Sequence, residues 1–144
     1  MRWAGAAAIG FVAGTLSMVV VTQAMLWLFV RYGLDPQTSL PAAGAGPPVQ
    51  HVVVPFDVAA SLWGGLCGAV AALLVDWLFG RRAGLAAPML FVAVLLIVQR
   101  LRGEALPFWS VELALGFAVA WAIVTWLFVM AGRAAVARLQ GRKK

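Results

Sequence analysis

The chain has 144 residues, 64% of them hydrophobic and 11% charged, with a mean hydropathy of +0.97. A water-soluble domain carries roughly 25% charged residues because its surface must face water, so this composition excludes one and describes an integral membrane protein. A net charge of +6 would suggest nucleic acid in a soluble protein; in a membrane chain it is the Lys/Arg excess of cytoplasmic segments, and no nucleic-acid partner is expected.

The chain opens "MRWAGAAAIGFVAGTLSMVVVTQAMLWLFV", a positive start followed by an apolar run over residues 4–30. A cleaved signal peptide has an apolar region of only ~7–15 residues and a small-residue cleavage site. This run is longer and shows no convincing site, so it is expected to remain as the first span. Gly10 and Gly14, with Ala6, Ala13 and Ser17 on the same side, form a seam of small residues at the spacing that lets membrane helices approach closely. Gln23, with Thr22, is the only strongly polar point in this run. An amide in hydrocarbon seeks a hydrogen bond across a helix interface, so Gln23 is expected to be packing glue.

Residues 32–55 hold five prolines and several glycines, which marks an outer loop or surface segment rather than a span. His51, the sole histidine, belongs to this loop and is expected to be solvated. A second span covers 56–79. Asp57 follows Pro55 at its start, where a carboxylate accepts hydrogen bonds from free backbone N–H groups and faces the positive end of the helix dipole. A helix cap is therefore expected, although Asp57 also shares a face with Gly64 and Gly68. Those two glycines, with Ala60, Cys67 and Ala71, make a second seam. Cys67 is the single cysteine, so neither an intrachain disulfide nor a cysteine-based metal site is available. Asp76, near the other end of the span, is expected to pair with Arg81 or Arg82.

The stretch Ser61, Trp63, Gly64, Gly65, Gly68, read with "AGTLSMVVVTQAML" in the first span, resembles small four-helix proteobacterial inner-membrane proteins. Those carry a Ser-x-Trp-Gly-Gly-x-x-Gly-like second span after a glycine-rich first span and a proline-rich outer loop. Where they have a His-Gln-Gly-like turn, this chain has Thr22, Gln23 and Ala24. The resemblance covers about the first half of the chain. It implies architecture and localisation, not an activity.

A third, short span is expected over 85–99 and a fourth over 108–131, followed by a basic tail, 132–144. The fourth carries a further seam of Ser110, Ala114, Ala118 and Ala122. Glu112 falls five residues after Pro107, roughly 7–8 Å into the helix, on a face continued by Gly116, Val119 and Ile123. It is expected to pair with Arg100 or Arg102 from the preceding turn; otherwise it would line an aqueous vestibule or meet a partner. The motif Trp-Leu-Phe recurs at 27–29, 77–79 and 126–128, near span ends, as interfacial tryptophans do.

With both termini in the cytoplasm, the inside collects Arg2, Arg81, Arg82, Arg133, Arg138, Arg142, Lys143 and Lys144, and the outside keeps Arg31, Arg100 and Arg102. That asymmetry predicts an N-in, C-in protein of the bacterial cytoplasmic (inner) membrane. The expected fold is an all-α integral membrane four-helix bundle. No catalytic motif such as HExxH, GxSxG or a phosphate loop occurs, a lone histidine rules out bis-histidine haem within one chain, and no enzyme activity, cofactor or metal is expected. Many packing features and few deep polar ones predict an accessory or structural subunit that packs laterally against itself or a larger membrane complex. The alternative is a small oligomeric transporter or channel using Glu112, Asp57 and Gln23. The seams themselves serve either the bundle or a partner.

Overall fold

The computed structural model describes residues 2–32, 58–80, 86–101 and 111–141; for residues 2, 30, 86, 99 and 111–114 this means the backbone alone. Four helices follow one another: α1 (Arg2–Arg31), α2 (Val58–Leu78), α3 (Ala86–Leu101) and α4 (Val111–Gly141). No strand occurs among the described residues, and the chain is an all-α four-helix bundle. Each helix packs on its neighbours in sequence, and α4 closes the ring on α1; the α1–α2 contact is the most extensive. Ile9, near the start of α1, lies beside Gly132 near the end of α4. Gly10 likewise meets Gly68 and Ala72 in the second half of α2. Both α2 and α4 therefore run antiparallel to α1.

Three helices, α1, α2 and α4, are long and apolar enough to cross a membrane. The fourth is not. At 16 residues, α3 extends about 24 Å at 1.5 Å per residue, short of a hydrocarbon core of ~30 Å. In contrast, α4 has 31 residues and continues as helix ten residues past Ala131, where the hydropathy of the sequence drops. The reason is local: "GRAAVARLQG" is rich in Ala, Arg, Leu and Gln, all good helix formers. At the end of α2, Gly80 takes φ 56°, a left-handed cap that glycine adopts without a Cβ penalty. Beside it the Phe79 N–H donates to the Val75 carbonyl at 2.9 Å.

The core is built from Phe91 of α3, Trp121 and Val129 of α4, and Val75, Ala71 and Ala72 of α2, all fully buried. The outside is apolar too. Val12, Leu16 and Val20 on α1, Leu62, Leu66 and Val70 on α2, and Val119, Ile123 and Leu127 on α4 are exposed. Rows of branched side chains on the outside of three helices are what a bilayer accepts and water does not. This is the surface of a membrane protein.

Candidate functional site

The polar chemistry of the described interior gathers at the crossing of α1, α2 and α4. It starts with glycine. A Cβ placed on Gly10 would lie 2.5 Å from the Gly68 carbonyl oxygen and 2.6 Å from the Ala72 Cβ. One placed on Gly68 would lie 2.9 Å from the Gly14 Cα, and one on Gly64 would lie 2.8 Å from the Met18 Cβ. Contacts this short do not exist between real side chains and backbone, so only glycine permits the α1–α2 approach. Gly10 and Gly14 thus face Gly64 and Gly68 within one chain. Gly65 adds to the seam beside Phe11 and Thr15.

That closeness exposes the Gly14 carbonyl to α4. The Trp121 indole Nε1–H donates to it at 3.2 Å, and the Ser17 hydroxyl donates to it at 3.0 Å. The Thr125 hydroxyl donates to the Trp121 carbonyl at 2.7 Å, and Ser17 and Thr125 are themselves hydrogen-bonded across the α1–α4 interface. Two hydroxyls own two hydrogens but stand in three such contacts. Either hydroxyl of the Ser17–Thr125 pair can be the donor, and the one that donates across the interface gives up the bond to its own helix, where the Gly14 and Trp121 carbonyls also accept from the backbone. The indole serves the Gly14 carbonyl in either case. This is an interhelical clasp, built of neutral groups and sealed from the surface: Ser17, Trp121 and Thr125 are all fully buried.

A second polar contact lies nearer the end of the bundle at which α1 starts. Arg133 of α4 donates through Nη2 to Asp76 Oδ1 of α2 at 2.5 Å. Its guanidinium carbon also lies 6.0 Å from the centre of the Trp126 ring, within cation–π range. Trp126 packs on Phe91 at 6.0 Å between centroids, and Phe91 on Trp121 at 6.1 Å. One contact chain thus joins the ion pair to the clasp. The described partner of Asp76 is therefore a residue of α4; Arg81 and Arg82, the expected partners, lie outside the described residues. The third Trp-Leu-Phe differs from the other two for the same reason. Trp27 and Trp77 are 64% and 67% exposed, as rim tryptophans are, whereas Trp126 is turned inward.

The residues singled out for a polar path are not brought together by anything described. Gln23 is exposed on α1 and makes no hydrogen bond among the described residues. The cause is register: at 100° per residue, Gln23 sits about 200° around the helix from buried Val21. Arg100 is exposed at the end of α3. Asp57, His51 and Arg102 lie outside the described residues; α2 begins at Val58. The backbone of Glu112 is helical at the start of α4, and its side chain is outside the described set. The face it shares with Gly116, Val119 and Ile123 is outward at all three of those positions. Of the α4 seam, Ala118 and Ala122 are buried, while Ser110 and the side chain of Ala114 lie outside the described residues.

Sequence reasoning missed Trp121, Thr125, Phe91 and Arg133. A signal existed for two of them: the Ala118–Ala122 seam, continued by three and seven residues, reaches Thr125 and Val129, and Trp121 lies between its members. Among the described residues, no group of three or more His, Cys, Asp or Glu is placed to hold a metal ion. No family model, curated protein or solved structure matches the chain.

Proposed function

We propose that this chain is a small non-catalytic integral membrane protein, a structural or accessory subunit that packs laterally against itself or against a larger membrane complex. We place it in the bacterial cytoplasmic membrane with both termini inside, on the charge asymmetry of its loops and on its likeness to small four-helix inner-membrane proteins. The observation that carries the reading is the use made of polar groups in the interior. Ser17, Thr125 and the Trp121 N–H are engaged in holding helices together, and Asp76 and Arg133 in joining α2 to α4. Among the described residues, what remains for function is chiefly the apolar outer surface, which suits contact with other membrane helices.

The test is purification from native membranes in a mild detergent, followed by native mass analysis. Co-elution with a larger complex in fixed stoichiometry, or a defined homo-oligomer that carries no solute flux in liposomes, is expected. Substrate-dependent flux lost on Glu112→Gln would overturn the reading in favour of a transporter.

A further inference from the structure

The geometry points to the outward face of α1 as an interface with a second copy of this chain, in which the Gln23 amides of the two copies hydrogen-bond to each other. The inference deepens the lateral-association reading above and rests on it: it names the face and the partner.

Gln23 lies within the apolar span Trp3–Phe29, exposed, and with no hydrogen bond among the described residues. An amide carries strong donors and an acceptor, and hydrocarbon offers it nothing in return. The same helix is fully occupied on its other side, where Ala6, Ala13, Ser17 and Val21 are buried against the bundle. Around Gln23 the outward side is a continuous stripe of exposed residues, Val12, Leu16, Val20 and Trp27. At 100° per residue they fall with Gln23 inside an arc of about 80°. Their spacings of four, four, three and four are those of a helix that pairs along its length with another.

Chemistry then selects the occupant. Copies of one membrane protein insert in the same orientation, so a two-fold axis along the membrane normal brings each residue of an interface beside itself at the same depth. Few polar groups suit that arrangement. A carboxylate or guanidinium would meet its own charge, whereas a carboxamide meets a partner it can both donate to and accept from. A different protein would have to present a polar group at this depth; a second copy supplies it without further assumption.

Cysteine cross-linking in vesicles tests this with the full chain. In a Cys67→Ala background reconstituted at low density in phosphatidylcholine, single cysteines are placed at exposed positions that leave Gln23 in place: Val20→Cys on α1, Leu66→Cys on α2 and Ile123→Cys on α4. Oxidation is expected to give covalent dimer from the α1 position and not from the other two. In parallel, dimerisation of the Gln23→Leu chain is measured by energy transfer between labelled copies. Loss of a membrane hydrogen bond of ~0.6–2 kcal/mol raises the dissociation constant about three- to thirty-fold, with an unfolding midpoint like that of the unsubstituted chain. Monomer at every density, cross-linking through α2 or α4 instead, or an unchanged dissociation constant for Gln23→Leu would each overturn the proposal. Monomer in vesicles together with co-elution in a host complex would remove the second copy and leave the accessory-subunit reading standing.

Discussion

At Gly14 the missing side chain acts twice. It lets the α2 backbone come close, and it uncovers a carbonyl that the Trp121 indole reaches from α4 at 3.2 Å. In hydrocarbon there is no water to serve a carbonyl or hydroxyl left without a partner, so this small network fixes the relation of three helices. Ser17 and Thr125 share one hydrogen bond across the α1–α4 interface, whichever hydroxyl donates. A double-mutant cycle over Ser17→Ala and Thr125→Val, read from unfolding in mixed micelles, should give a coupling of ~0.6–2 kcal/mol. Strictly additive costs for the two substitutions would dissolve the clasp. The sequence held only part of this. Four-residue spacing made Gly10, Gly14, Gly64 and Gly68 legible as a seam, but nothing in a run of seven tryptophans tells a core indole from a rim one. What distinguishes Trp121 is its acceptor, and that lies on another helix.

Among the elements, α2 and α4 sit across the ring from each other, and the Asp76–Arg133 pair is the described polar tie between them. The two side chains are 17% and 27% exposed respectively, so the contact is worth more than a surface pair and less than a fully buried one. Asp76→Asn or Arg133→Gln alone should cost about 1–3 kcal/mol of bundle stability, since each strands a partly buried charge. The double substitution should recover part of that loss, and a deficit equal to the sum of the singles would argue that the two do not interact. Sequence reasoning looked for the partner of Asp76 among its chain neighbours Arg81 and Arg82, which lie outside the described residues; it had no means of finding Arg133 on another helix, because distance along the sequence is all that a sequence offers. The length of α4 was hidden similarly. Hydropathy marks where lipid ends, and helix propensity decides where helix ends; from Gly132 onward the two diverge. The described α3, at 16 residues, is the shortest of the four helices, and the residues on either side of it lie outside the described set.

For the molecule as a whole, environment was the most legible property, since branched apolar residues on the outside of a bundle have no reading in water. The proposed orientation rests on charge. Cysteines introduced at Tyr32 and Arg138, both exposed in the structure, should be modified from opposite sides of the membrane. Arg138→Cys should react only after cytoplasmic access and Tyr32→Cys in intact cells; the reverse pattern would invert the proposed topology. The partner was not legible, because small-residue seams look alike whether they face the same chain or another. The structure assigns the α1 and α2 seams to each other, and contacts of outward residues such as Gln23 beyond the chain are the proposal tested by cross-linking.

The assignment of those seams is tested most directly by the stability of the monomer itself. Gly64→Leu and Gly116→Leu are compared by unfolding in mild detergent at concentrations where the chain is monomeric. A Cβ at Gly64 meets Met18 and the Gly14 carbonyl, whereas one at Gly116 meets nothing within 4 Å. The account predicts a Gly64→Leu monomer destabilised by at least ~1–3 kcal/mol, as overpacking against backbone requires, beside a Gly116→Leu monomer close to the unsubstituted chain. A Gly64→Leu monomer with undiminished stability, altered only in the mass of the assemblies it enters, would show that the seam lies between chains and contradict the account.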